Sequence, residues 1–192
     1  MPPRRLFLIR HGETDAARSG DFAGQRDDPL NATGLEQARK IASRFAHLRW
    51  GTVHSSTLSR ARQTAQALAR ATGARVVEHV DLREMDYGDW VGLPPGEIER
   101  RWPAEYGRWR GRSADLAIPG GESIAQVRAR VERSVRAQCE AQDGDLVIVA
   151  HGGSVKVALA CLMGWPIETW GRIHLDCTGV VMVTFHDGTA FL

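Results

Sequence analysis

The chain has 192 residues, enough for one domain with a full hydrophobic core, and is 43% hydrophobic and 25% charged. Its formal net charge is only +2 and its basic residues are interleaved with acids, so nothing marks a nucleic-acid surface. No stretch approaches the roughly 20 apolar residues that cross a bilayer, and Met1-Pro2-Pro3-Arg4-Arg5 leads into no long apolar segment, so a leader peptide is not expected and a cytoplasmic protein is. Cys139, Cys161 and Cys177 are scattered and form no CxxC pair; buried free thiols are expected, without a disulfide framework or a zinc knuckle.

Leu6-Phe7-Leu8-Ile9 is an apolar run that meets Arg10-His11-Gly12. Such a run, ended by glycine, predicts a buried strand whose C-terminal end opens into a ligand crevice. Residues 15–31 are polar and rich in turn formers, and predict a long functional loop. Thr33 and Glu36 have the spacing of a capping box, and the helix after them carries Ala38, Ile41, Ala42, Phe45 and Leu48 and is expected to end near Trp50-Gly51. Residues 52–56 predict a second strand, 59–72 a helix stopped by Gly73, and 75–80 a third strand. This alternation implies a largely parallel sheet covered by helices.

Residues 81–121 differ in character, with Trp90, Trp102 and Trp109 and prolines at 94, 95, 103 and 119. They are read as loops with one or two short helices folded over one end of the sheet. Ser123 can cap the next helix, which carries Ile124, Val127, Val131, Val135 and Cys139 on one face and stops at Asp143-Gly144. Residues 145–150 predict a strand that runs straight into His151-Gly152-Gly153 and a helix through Leu162. Residues 180–185, an Asp187-Gly188 turn and a short last strand predict a closing hairpin.

The organising feature is a repeated design. Two apolar strands at opposite ends of the chain each finish in His-Gly, at His11 and at His151. In a parallel sheet both imidazoles project from the same edge. Glycine after each permits a tight turn and close approach of a ligand to the backbone. Arg60 and Arg62 begin a helix that follows a strand, where backbone amides favour an anion. Two histidines and two arginines on one edge describe a pocket for a dianionic phosphoryl group. Metal ligation by the histidines is the rival reading; arginines beside them would repel a cation, and no His-x-x-x-His or Cys pair supports it.

These residues carry a family resemblance. Residues 8–14 (LIRHGET), 30–38 (LNATGLEQA), Ser55-Ser56 with 60–65 (RARQTA), 82–92 (LREMDYGDWVG), 119–123 (PGGES) and 149–153 (VAHGG) match in order and spacing along nearly the whole chain. The sequence resembles the histidine phosphatase superfamily, in its small phosphatase branch, and especially the α-ribazole phosphatase group. The resemblance implies one domain over residues 1–192, a three-layer α/β/α sandwich of the phosphoglycerate-mutase-like type with a mostly parallel central sheet, and residues 81–121 as a lid-like insertion over the site. It implies hydrolysis of a small-molecule phosphate ester through a phosphohistidine at His11, with no metal and no cofactor. Arg10, Arg60 and His151 hold the transferred oxygens, for which His151 must be protonated or donate one N–H. Glu84 gives a proton to the leaving oxygen and then activates water; Asp86 and Asp89 are alternatives, with turn chemistry around Gly88 as their plain role. Substrate contacts are implied for Arg10, Thr14, Gln25, Arg60 and Gly152, and Arg62 is placed at the pocket edge or in a surface ion pair.

Two departures touch the rim. Ala17 lies where many relatives carry Asn, and Trp90-Val91-Gly92 stands for the commoner Trp-Glu-Gly. The substrate expected is α-ribazole 5′-phosphate, with aromatic side chains of the middle segment stacking on its base. A broad-specificity phosphatase comes second. A phosphoglycerate mutase comes third, because the chain is short after the acid motif. A non-catalytic phosphate-binding module is the reading from another class. A monomer or homodimer is expected, without a nucleic-acid or membrane partner.

Overall fold

The computed structural model describes residues 4–113, 116–142 and 144–192; Asp143, expected at a helix end, lies outside them. The elements run β1 (Arg5–Arg10), α1 (Asp15–Ser19), α2 (Ala32–Phe45), β2 (Thr52–Ser56), α3 (Ser59–Thr72), β3 (Arg75–His79), α4 (Pro95–Arg101), α5 (Pro103–Arg110), α6 (Ile124–Ala141), β4 (Asp145–Ala150), α7 (Gly152–Leu162), β5 (Val180–His186) and β6 (Thr189–Phe191). Short 3-10 turns cover Val80–Leu82, Gly88–Trp90 and Ile167–Arg172.

The six-stranded sheet has the order β3-β2-β4-β1-β5-β6. The first four strands are parallel, and β5 and β6 close the sheet antiparallel. Alternation along the central strands divides the core. Leu6, Leu8, Leu146 and Ile148 pack on the side of α6 and α7. Phe7, Ile9, Val147 and Val149 pack on the side of α2 and α3. Both faces of β1 and β4 are therefore covered, which is why these strands read as unbroken apolar runs. The segment between β3 and α6 joins the first of these cores through Leu82, Met85, Trp90, Ile98, Leu116 and Ile118, each at most 2% exposed.

Several local expectations are corrected. The stretch after β1 contains α1, capped by Thr14, whose Oγ1 accepts the Ala17 N–H at 3.1 Å. The Thr33 capping box does not form. Asn31 Oδ1 accepts the Gly34 N–H at 2.8 Å and caps α2 two residues earlier, while Glu36 turns to Arg39. Gly34 is demanded there by packing: a Cβ would lie 2.0 Å from Glu13 O. α2 stops at Phe45, and Trp50 folds back to pack its ring 5.5 Å from Phe7 and 5.2 Å from Phe45. On α6 the buried position near the C-terminus is Gln138, bonded to Ser134 at 2.8 Å; Cys139 is half-buried. Cys161 and Cys177 are also half-buried, and all three thiols are free. Among the described residues, no helix is long and apolar enough to cross a membrane.

Candidate active site

The sheet brings the two His-Gly ends together. β1 and β4 pair in register, Arg10 opposite Ala150, so His11 and His151 follow side by side, and the His11 N–H bonds Ala150 O at 2.9 Å. The two rings are 5.1 Å apart. Beside them lies a cavity of about 200 Å3 lined by Arg10, His11, Thr14, Arg60, Glu84 and Gly152, together with Ala17, residues 20–24 and Tyr87.

His11 is buried, and its Nδ1 lies 2.6 Å from Gly12 O. A carbonyl only accepts, so Nδ1 carries the proton and Nε2 keeps its lone pair. Burial, then the Arg60 and Arg10 charges, push the imidazole down to about 3, against the opposing bond to Gly12. At neutral pH the ring is thus an uncharged nucleophile. Gly12 is required by packing on Gly34, where its Cβ would meet the Gly34 carbonyl oxygen at 2.6 Å, rather than by a ligand.

His151 is fully buried. Arg60 Nε donates to its Nδ1 at 3.2 Å, so its N–H is on Nε2 and goes to Ser56 Oγ at 2.8 Å. Burial and the Arg60 charge hold this ring well below the ordinary histidine range. In this arrangement the expected N–H toward a phosphoryl oxygen is committed to Ser56, and His151 orients Arg60 instead. Arg60, 2% exposed, also donates to Arg26 O and Gly24 O at 2.7 Å, fastening the loop that forms one wall. Arg10 donates Nη1 to Leu175 O at 2.7 Å, while its buried Nε has no partner. A buried cationic donor left open on a cavity suits an anion. Gly152 lies against Arg10 Nε and is the first residue of α7, where the helix dipole favours negative charge.

Glu84 lies across the cavity at the same helix end. Its Oε2 accepts the Gly153 N–H at 2.9 Å; its Oε1 accepts Ser154 N–H at 3.2 Å and Met85 N–H at 2.9 Å. A carboxylate offers about four lone-pair sites, so one remains for a proton in transit. Gly153 is needed for this approach, since a Cβ would lie 2.5 Å from Glu84 Oε1.

Other expected residues lie elsewhere. Gln25 does not line the cavity; its side chain bonds Glu122. The N-terminus of α3 is not open to an anion, because Asp27 takes the Ser59 N–H at 2.6 Å and its hydroxyl at 2.9 Å. Arg62 bonds Ser59 Oγ at 3.1 Å and pairs with Glu78 at 3.8 Å, away from the cavity. Asp86 holds the turn by accepting Gly88 N–H at 2.9 Å, and neither it nor Asp89 lines the cavity. Trp90, fully buried, packs against Trp109, and no tryptophan of the middle segment lines the cavity; the aromatic rings that reach it are Phe22 and Tyr87.

Residues 6–192 match the family described as Histidine phosphatase superfamily (branch 1). The chain belongs to the histidine phosphatase superfamily, and it is a phosphatase. A glucosyl-3-phosphoglycerate phosphatase of Mycolicibacterium vanbaalenii is 35% identical over 178 residues, 88% of this chain and 79% of that one. The α-ribazole phosphatase of Shigella flexneri superposes with a TM-score of 0.88 at 29% identity, covering 98% of this chain and 94% of that one. A bifunctional protein of Mycobacterium tuberculosis is 34% identical over 192 residues, 98% of this chain; the chain spans about half the length of that relative, 52%.

Two residues of this histidine phosphatase that sequence reasoning missed brace Glu84 from behind. Arg130 on α6 donates to the carbonyls of Asp81, Arg83 and Glu84 at 2.7–2.9 Å, and forks onto Glu122 at 2.7 and 2.8 Å. Glu122 also accepts the Asp86 N–H at 2.8 Å. Burial would raise Glu122, but the Arg130, Asp86 and Gln25 hydrogen bonds outweigh it and hold the carboxyl below its ordinary value. A signal existed: Arg130 is three residues after Val127 and four before Ser134, both buried, so it lies beside the apolar stripe. The Arg130→Met variant strands a largely buried carboxylate and should lose about 3 kcal/mol of stability in chemical denaturation. Arg130→Lys should recover little of it, because an ammonium cannot reproduce the fork.

The buried imidazoles also set an acid limit. His11 is held near 3 and His54, by burial and the His79 charge, near 4, whereas the unfolded chain protonates both near 6.5. The unfolded state then binds more protons between those values, so stability is complete above pH 6.5 and falls as pH drops toward 4. The melting temperature should decline over that interval, and His11→Gln should flatten the decline; an unchanged slope would contradict the burial argument.

Proposed function

We propose that this phosphatase is a metal-independent phosphomonoesterase acting through a phosphohistidine at His11 on a small phosphorylated metabolite. The observation that carries this reading is the 2.6 Å contact from His11 Nδ1 to Gly12 O, which leaves Nε2 as the free lone pair in a cavity holding Arg10, Arg60 and Glu84. The Nε2–P bond forms as the bond from phosphorus to the leaving oxygen breaks, and Glu84 gives its proton to that oxygen. Glu84, now a carboxylate, takes a proton from water, whose oxygen attacks phosphorus. The N–P bond breaks, inorganic phosphate departs and His11 is neutral again. Arg10 Nε, Arg60, the Thr14 hydroxyl and the Gly152 amide stabilise charge on the transferred oxygens, which is most of what phosphoryl transfer asks of a protein.

The expected substrate α-ribazole 5′-phosphate draws support from the likeness to the Shigella enzyme and from the rings of Phe22 and Tyr87 at the cavity. The mycobacterial relative favours a phosphorylated sugar acid. A screen of α-ribazole 5′-phosphate, 3-phosphoglycerate and sugar phosphates tests both. Release of inorganic phosphate, undiminished in chelator, is expected. Activity that vanishes in chelator sinks the metal-free reading, and phosphate moved between positions of phosphoglycerate without release makes the protein a mutase.

A further inference from the structure

A second cavity, of about 360 Å3, is lined by Tyr106, Trp109, Arg110, Arg112, Lys156, Trp170 and Gly171. Three of these are cations and none is an acid. Among the described residues, the side chains of Arg110, Arg112 and Lys156 have no hydrogen-bond or ion-pair partner. Arg112 and Lys156 are nonetheless half-buried, so their charges have lost water without gaining an ion-pair partner among the described residues. The indole N–H of Trp170, a ring 8% exposed, is likewise buried without an acceptor. The Trp170 indole and the three cations on this wall are all donors.

The cavity is built around Arg112. That residue adopts the left-handed backbone, φ 61, which non-glycine residues disfavour. Its side chain crosses Gly171 so closely that a Cβ there would lie 2.5 Å from Arg112 Nε and 2.6 Å from Cδ. The rings of Trp109 and Trp170 are 5.0 Å apart, tilted by 54°, and form an apolar side.

This cavity adjoins the phosphate site. Lys156 is four residues after Gly152 on α7, hence on the same helix face and about 6 Å further along the axis. Its ammonium feels the charges of Arg10 and Glu84. Trp109 packs 5.5 Å from Tyr87, which lines the phosphate cavity.

We propose that Arg112, Lys156 and Arg110 form a subsite for a second anionic group of the substrate, so that the enzyme prefers phosphomonoesters bearing a carboxylate or second phosphate beyond a ring or sugar. This deepens the phosphomonoesterase reading and rests on it. It sets an anionic partner group above the uncharged base of α-ribazole as the feature the enzyme selects.

The test uses 4-carboxyphenyl phosphate and 4-carbamoylphenyl phosphate, which match in size and differ in one charge. The full chain should hydrolyse the carboxylate with kcat/KM about tenfold higher, chiefly through KM, the gain from one charge-assisted contact. Added sodium chloride should shrink the preference. Lys156→Gln and Arg112→Gln should each remove most of it, and Arg112→Lys should restore part. Equal rates for the two esters, or a preference for the amide, overturn the subsite while leaving the phosphatase reading intact. A preference that survives both glutamine variants also overturns it. Failure to hydrolyse either ester or p-nitrophenyl phosphate overturns the phosphomonoesterase reading itself.

Discussion

His11→Ala should lower turnover of p-nitrophenyl phosphate by about 10^4-fold or more, because among the described residues that line the cavity His11 is the one imidazole, and its Nε2 lone pair is the proposed attacking group. The wild-type chain, quenched in alkali during turnover of a labelled ester, should carry label that survives base and is lost in acid, as a phosphoramidate does; the variant should carry none. The substitution removes a buried ring whose Nδ1 bond to Gly12 O helps fix the turn, so His11→Gln should be measured beside it. If the glutamine variant melts like the parent and still turns over at a tenth of its rate or better, His11 is not the attacking group.

Glu84→Gln separates chemistry from scaffolding. With its oxygen at the Oε1 position the amide can still accept the Ser154 and Met85 N–H groups, and only the Gly153 N–H loses its acceptor, so most of the anchoring is kept, but it has no acidic proton to give. Phosphorylation of His11 by an alkyl phosphate should slow by about 10^2 to 10^4-fold, the usual worth of a positioned acid. p-Nitrophenyl phosphate, whose leaving phenolate hardly needs protonation, should lose far less in that first step. Asp86→Asn should reproduce none of this dependence on the leaving group, since its carboxylate serves the Gly88 turn. Equal losses on both esters would assign Glu84 a positioning role only.

Much of this site was legible because its parts sit at the ends of regular elements. Arg10, His11 and His151 follow apolar strands of a sheet that the alternation of strands and helices marked as parallel, and that common direction placed both ends on one edge. Arg60 lies in the first turn of a helix with clear apolar spacing, so its burial against the sheet follows. The errors fall where side-chain direction is set by irregular backbone. Gln25 stands in a loop without periodicity, and only the fold shows it turned to Glu122. The cap of α2 went to Asn31 because Gly34 must press against Glu13, a contact between segments that no local pattern announces. Arg130 looked like one of several arginines along α6; its role depends on three carbonyls some 46–49 residues earlier in the chain. His151 was legible as a site residue, but the commitment of its N–H to Ser56 depends on a strand neighbour nearly a hundred residues away.

The strand order has a kinetic consequence. β4 lies between β2 and β1, although it is made after both, so the two earlier strands have no direct partner in each other and wait for a late strand to enter the gap. That insertion closes a loop of more than a hundred residues, the slow kind of event in a folding reaction. His11 and Arg60 flank the gap from opposite sides, and His151 arrives on the strand that fills it. Refolding chains should therefore regain helix signal well before they regain activity, and catalysis should appear in a single step with the entry of β4.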